Sequence, residues 1–157
     1  MSVSNVMTPG PIGLIADTHG LLRPEALAAL AGCDRILHAG DIGGPEILDA
    51  LQELAPVAVV RGNNDTADWQ RALPEELVLD ITGLRVRMLH DLKQYRPHAD
   101  DRIVVTGHSH RPLIDARDGR LYINPGSAGP RRFRLPITVA RLYLAPAGPR
   151  AEIVPIL

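Results

Sequence analysis

Apolar and polar positions alternate in short blocks from residue 12 onward. Residues 12–16 form an almost unbroken apolar run that stops at the polar cluster of residues 17–20, the pattern of a buried strand and its exit loop. Pro24 then stands where a first helical position is expected. The helical pattern over residues 25–31 closes at Gly32, which predicts a helix with its start and stop signals in place. The same unit follows again. Residues 35–39 read as a strand leaving into Gly40-Asp41. Gly44-Pro45 then opens a helix whose Ile47, Leu48, Leu51 and Leu54 make one apolar stripe, and Pro56 ends it. Residues 57–60 are a third strand, apolar and β-branched, leaving into Arg61-Gly62-Asn63. Strands and helices of these lengths predict right-handed crossovers and a parallel sheet.

After Trp69 the texture changes. Residues 77–81, 84–89, 103–106, 113–116, 121–123, 137–144 and 151–156 are short strand candidates, parted by turn signals such as Thr82-Gly83. Only residues 91–100 leave room for another helix. The expectation is an α/β first half and a β-rich second half sharing one core. Residues 12–157 form a single domain in this reading, and residues 1–11 a loose leader.

The fold expectation carries the chemistry. In an open parallel sheet, ligands bind beyond the carboxyl ends of the strands. The first three strands end on Asp17 with His19, on Asp41 and on Asn63; two later strands end on His90 and on Gly107-His108-Ser109-His110. Each residue alone has an ordinary explanation: a helix cap, a turn asparagine, a hydrogen-bonded histidine. Together, five strand ends bring two carboxylates, one amide and four of the six histidines to one rim. His38 lies inside a strand and His98 on a polar stretch, so neither joins the set. Seven mixed donors suit two ions about 3.5–4 Å apart rather than one, with Asp41 on the middle strand the natural bridge. Imidazole with carboxylate and amide oxygen favours Mn, Fe, Ni, Co or Zn over an all-oxygen cation site. No activated serine or cysteine is evident, so hydrolysis assisted by metal is the simplest chemistry for this inventory.

Composition narrows the partners. The 157 residues carry a net charge of −1 and no long basic run, so neither a nucleic-acid polymer nor an anionic membrane is the expected partner. Aromatic residues make up 3%, too few for a base-stacking platform. No apolar stretch approaches the roughly 18–20 residues that span a bilayer, and the N-terminus lacks the pattern of a signal peptide. One cysteine, Cys33, excludes an intramolecular disulfide and suits a reducing cytoplasm, the expected location. Sheet edges permit a homo-oligomer without requiring one.

The ordered blocks Asp17-x-His19, Gly40-Asp41, Gly62-Asn63-Asn64-Asp65, His90 and Gly107-His108-Ser109-His110, with a trailing Asn124-Pro125-Gly126-Ser127, resemble the calcineurin-like metallophosphoesterases. They are most similar to the small single-domain bacterial and archaeal branch. The resemblance runs from about residue 12 to the C-terminus. It implies a four-layer αββα sandwich of two mixed sheets flanked by helices, with the site at the strand ends. It implies a first metal on Asp17, His19, Asp41 and His110, and a second on Asp41, Asn63, His90 and His108. The two divalent ions, manganese in the first instance, would activate a hydroxide against a small phosphate ester. Asp41, Asn63 and His108 are the expected catalytic residues, and a phosphodiester the expected substrate. A phosphomonoesterase is the alternative within the same chemistry. A non-catalytic scaffold is the alternative outside it, since a eukaryotic retromer subunit resembles this fold.

Two departures stand out. Larger members carry His after the ligand Asn, whereas this chain has Asn64, which cannot act as a general acid near neutral pH. Asp91 follows His90 where Gly is common; it either orients His90 or caps a following helix. Asp65 reads as a turn or cap residue or as a support behind the ligands. Asn64 and Arg131 are candidate substrate-binding residues, and Arg132 and Arg134 follow in the same loop.

Overall fold

The computed structural model describes residues 10–157, so the expected leader lies, except for Gly10 and Pro11, outside the described residues. Two five-stranded sheets make the frame. The first has the strand order β10-β9-β1-β2-β3 and contains β1 (Ile12–Ile15), β2 (Arg35–His38), β3 (Val57–Val59), β9 (Thr138–Ala145) and β10 (Gly148–Pro155). The second has the order β4-β5-β6-β8-β7, from β4 (Glu76–Ile81), β5 (Leu84–Leu89), β6 (Asp101–Val105), β7 (Leu113–Arg117) and β8 (Arg120–Asn124). Among the described residues there are three α-helices, α1 (Pro24–Leu30), α2 (Pro45–Gln52) and α3 (Asp68–Arg71).

Side-chain alternation explains the stacking. Ile12 and Leu14 of β1, the central strand of its sheet, face the second sheet, with Ala16 just past the strand's end. They meet Val86, Met88, Ile103, Val105 and Ile123, so the principal core lies between the sheets. Ile15 points the other way, toward Ala26 and Leu30 of α1 and Ile47 and Leu51 of α2. Truncating a fully buried side chain here, such as Leu142, costs about 3 kcal/mol because the packed neighbours cannot collapse onto the hole.

Two expectations need correction. The stripe on α2 is shorter than its spacing suggests: Ile47 and Leu51 are buried, but Leu54 lies past the end of the helix and is exposed. Pro56 disfavours helical backbone before it, so the last apolar position falls in a turn. The room for a helix at residues 91–100 holds only one 3-10 turn, Leu92–Gln94. Asp91 caps that turn, its Oδ1 accepting from the Lys93 N–H at 3.0 Å. Leu92 and Tyr95 cover Leu89, Val104 and Tyr122, which makes the outer layer of the second sheet thin. The one-turn helix α3 escaped the sequence pattern, being too short to show a period.

Strand direction positions the site. β1, β2 and β3 run parallel in register, so their exits share one edge. β5, β6 and β8 are likewise parallel in the second sheet. The two edges are laced together where they meet: His108 N–H donates to Asp17 Oδ2 at 3.0 Å and Ala128 N–H to the Ala16 carbonyl at 3.1 Å.

Candidate metal centre

Five of the chemistry-bearing residues hold backbone that L-amino acids seldom adopt. Asp17, His19, Asp41, His108 and His110 have φ of 56°, 46°, 59°, 72° and 62°. Each such residue costs about 1 kcal/mol or more and persists only where neighbours over-determine it. Backbone bonds between the β1 and β2 exits do this for Asp17, His19 and Asp41: Asp17 N–H to the Gly40 carbonyl at 3.0 Å, His19 N–H to that of Asp41 at 2.9 Å, and Gly20 N–H to that of Ile42 at 2.8 Å; His108 N–H in turn donates to Asp17 Oδ2 at 3.0 Å.

The side chains converge in two groups. Asp17, His19 and His110 form one, and Asp41, His90 and His108 the other; within each group the donor atoms lie within 4.8 Å of one another. Asp17 Oδ1 stands 3.9 Å from His19 Nε2, 3.9 Å from His90 Nε2 and 3.7 Å from His110 Nε2. Asp41 Oδ2 joins the groups, 3.6 Å from His19 Nε2 and 3.2 Å from His90 Nε2. Asp17 Oδ1, His19 Nε2, His90 Nε2 and His110 Nδ1 are all buried without a hydrogen-bond partner. Buried lone pairs without a donor are costly. Asp17 Oδ1 with His19 Nε2 and His90 Nε2, aimed at one another, fit a cation, since ligands bonded at about 2.1 Å lie roughly 3 Å or more apart around an ion.

Asn63 stands beside the second group, its Oδ1 3.1 Å from His108 Nδ1. The other ring nitrogen of His108 faces Asp91 Oδ2 at 3.9 Å, so Asp91 neighbours His108. His90 is oriented instead by the Ala39 carbonyl, which accepts from Nδ1 at 2.7 Å and leaves Nε2 toward the carboxylates.

Behind these donors lies a dense support. Asp65, buried, accepts from the N–H groups of Asp41, Ile42 and Gly62 at 2.8–2.9 Å and from Gln70 Nε2 at 3.1 Å. Asn64 does not point away from the centre. Its N–H donates to Asp41 Oδ1 at 2.8 Å and its side-chain amide to Asp41 Oδ2 at 3.2 Å. His38, wholly buried, accepts from Gly40 N–H at Nδ1 and donates from Nε2 to the Thr18 hydroxyl at 3.1 Å. That hydroxyl in turn donates to the Ile42 carbonyl at 2.7 Å. The Asn124-Pro125-Gly126-Ser127 loop braces the same edge. Asn124 Nδ2 donates to the Gly107 carbonyl at 2.9 Å, and Ser127 Oγ to the Asp17 carbonyl at 3.1 Å. Of this support, Gln70 and Thr18 had no signal in the sequence; Asp65 and the Asn-Pro-Gly-Ser loop had one, without a partner to give it meaning.

The electrostatics follow from burial. Burial raises the Asp17 carboxyl to about 7, with His90 pulling it down and Asp41 pushing it up. Burial also opposes ionisation of Asp41, but His90 and the Asn64 N–H outweigh it and hold that carboxyl at about 2. Burial lowers His110 to about 4 and His38 to about 3, and lowers His19 as well. The imidazoles of His19 and His110 thus favour the neutral form that ligates a cation, whereas the Asp41 carboxylate raises His90 although burial lowers it. Arg132 adds positive charge near Asp17, His19 and His110. Arg131 turns elsewhere, donating to the Leu135 carbonyl at 3.2 Å.

The model of the calcineurin-like phosphoesterase superfamily domain matches residues 11–146. The chain is 34% identical to a probable metallophosphoesterase of Methanocaldococcus jannaschii, over 74% of this chain and 67% of that one. It is 33% identical to a probable metallophosphoesterase of Bacillus subtilis, over 83% and 82%. Among solved structures it is similar to an archaeal phosphodiesterase, with a TM-score of 0.74 at 20% identity over 92% and 99% of the two chains. It is also similar to vacuolar protein sorting 29 of Cryptosporidium parvum, with a TM-score of 0.72 at 19% identity over 94% and 97%. At those identities the structural likeness speaks for the fold alone. The family implies divalent metal ions and hydrolysis of phosphate esters, and the two donor groups suit both. By the match across most of its length, by its two mixed sheets and by this rim of donors, the chain belongs to the calcineurin-like phosphoesterase superfamily.

Proposed function

We propose that the chain hydrolyses phosphodiesters with two divalent ions. Asp17, His19, Asp41 and His110 would hold the first, and Asp41, Asn63, His90 and His108 the second. The observation that carries the reading is the buried, partnerless Asp17 Oδ1, His19 Nε2 and His90 Nε2 gathered beside Asp41 Oδ2, every one of them a competent ligand. When bound, such a pair supplies an activated water and a positive clamp on the phosphoryl oxygens. The donor set suits manganese, with nickel, iron, cobalt or zinc as substitutes.

The residues have distinct tasks in this reading. Asp41, ionised and held from both sides by Asn64, is the shared ligand of the pair. Asn63 and His108, at the exposed side of the centre, meet the substrate first. His90 and Asp17, buried, exclude water from the far side. Asn64 spends its amide on Asp41 and has no proton to give a departing alkoxide. That favours esters whose leaving group departs without protonation, and diesters among them. The structurally similar archaeal protein is described as a phosphodiesterase. A reducing cytoplasm, where the buried thiol of Cys33 stays free, is the proposed setting. Among the described residues no helix is long and apolar enough to cross a membrane.

The test is direct. Metal-stripped protein is reloaded with Mn, Ni, Zn or Mg, and an aryl phosphodiester is assayed beside an aryl phosphomonoester. Hydrolysis of the diester restored by a transition metal and abolished in Asp41→Asn is the expected result. Faster monoester turnover would replace the substrate class; two bound ions with no hydrolysis of either would favour a scaffold.

A further inference from the structure

A pocket of about 640 Å³ opens beside the candidate centre, and His108 is a wall common to both. A phosphoryl group held at the metals would fill little of it, because the pocket lies within the size range of sites for whole small-molecule ligands. Its lining is chemically divided. Leu92, Pro112, Leu113 and Leu135 give it apolar faces, and Leu113 is 43% exposed although nothing in the fold requires an apolar residue at that edge. Lys93 and Arg111 line it as well, and among the described residues neither has a salt-bridge partner. Asp91 is the single carboxylate in the wall, and it already accepts from the Lys93 N–H and faces His108. The lining therefore carries one net positive charge: two cations against one carboxylate.

We infer that this pocket seats one arm of the phosphodiester, and that the arm is ring-sized, apolar on its faces and negatively charged. The inference rests on the phosphodiesterase reading and adds the class of substrate to it. A small alkyl ester would leave the apolar walls wet. A neutral arm would leave Lys93 and Arg111 without a counter-charge. An arm combining a planar ring with an acidic group, as an aromatic acid or a nucleotide does, satisfies both.

The experiment compares methylphosphonate, phenylphosphonate and 4-carboxyphenylphosphonate on the manganese-loaded protein by calorimetry, with leucine-methyl NMR as a second readout. The ring is expected to tighten binding about tenfold over methyl. The carboxylate is expected to tighten it a further roughly threefold, since a solvent-exposed ion pair is weak. Leu113→Ser with Leu135→Ser should collapse the phenyl-to-methyl ratio, and Lys93→Ala with Arg111→Ala the carboxyphenyl-to-phenyl ratio. The methyl signals of Leu113 and Leu135 should shift with the ring compounds only. Using ratios removes any effect of the substitutions on folding or metal loading. Equal affinity for all three phosphonates would overturn the pocket assignment while leaving the phosphoesterase reading in place. A ring preference without a carboxylate gain would overturn the charged arm. Binding by none, together with no ester hydrolysis, would overturn both readings.

Discussion

The carboxylate of Asp65 accepts the main-chain N–H of Asp41 at 2.9 Å, joining the exits of β2 and β3 across 24 residues of sequence. Two further main-chain amides and the Gln70 side chain use the same carboxylate. Asp65 therefore sets the position of Asp41 without facing the centre itself. Asp65→Ala should strand these donors and destabilise the fold by about 3 kcal/mol. Metal affinity should fall roughly 10–100-fold, as it does when a support behind a ligand is lost. Urea unfolding and manganese titration measure the two effects. A loss below about 1 kcal/mol with affinity unchanged would mean that water replaces the carboxylate without cost.

Gly62 admits Asp41 for a different reason. A Cβ at Gly62 would collide with the Asp41 main-chain nitrogen and Oδ1. Gly62→Ala must push that carboxylate aside, since the colliding atoms are themselves pinned by Asp65 and Asn64. The expected outcome is about 2 kcal/mol of destabilisation, the ordinary cost of overpacking. Binding of manganese should weaken beyond what that destabilisation accounts for. Thermal melts with and without manganese separate the two effects, because a bound ion adds stability according to its affinity.

Asn64→His offers a proton donor beside the centre that the chain now lacks. It also removes the amide bond to Asp41 Oδ2, while the main-chain N–H bond to Oδ1 remains. For a diester with an alkyl leaving group, turnover should rise by about tenfold or more, the lower part of the range for general acid catalysis. For a p-nitrophenyl diester it should not rise, since that leaving group needs no proton. Turnover rising equally on both substrates would show that the residue acts through Asp41 instead.

His38 gives the protein a pH dependence outside the centre. Burial holds its imidazole at about 3 in the folded state, below the ordinary 6.5, so the unfolded chain binds its proton first as pH falls. Its stabilising contribution is complete above about pH 6.5. It then declines by up to about 1.4 kcal/mol per pH unit as pH drops toward 3. Urea unfolding of metal-free wild type and His38→Gln at pH 7, 6 and 5 isolates this residue, because other titrating groups cancel in the difference. The wild-type advantage should shrink by about 2 kcal/mol between pH 6.5 and 5. A gap constant with pH would place the proton elsewhere.

Much of the scaffold was legible beforehand, and the reasons are local. The β1, β2 and β5 strands advertise themselves as apolar runs bounded by glycine, proline and polar residues, and α1 has Pro24 and Gly32 at its ends. Signals within a few residues suffice for such elements. They fail where the element is shorter than its own period, as in α3, and where a local pattern continues past a competing constraint, as at Leu54 before Pro56. They also overstate residues 91–100, where the capping bond from Asp91 satisfies one turn and no apolar stripe follows to extend it.

The sequence by itself determined which residues reach the rim. A parallel sheet delivers its strand exits to one edge whatever the details, and the donor types at those exits are written in the chain. Only the tertiary structure decided how they are held. Five donors sit on left-handed backbone, and Asp65, Asn64 and His38 bond from one strand exit to the next. Arg132, not Arg131, brings its charge near Asp17, His19 and His110. Those facts depend on bonds between segments tens of residues apart. A periodicity records which face of its own element a residue occupies and carries no record of what waits on the other side.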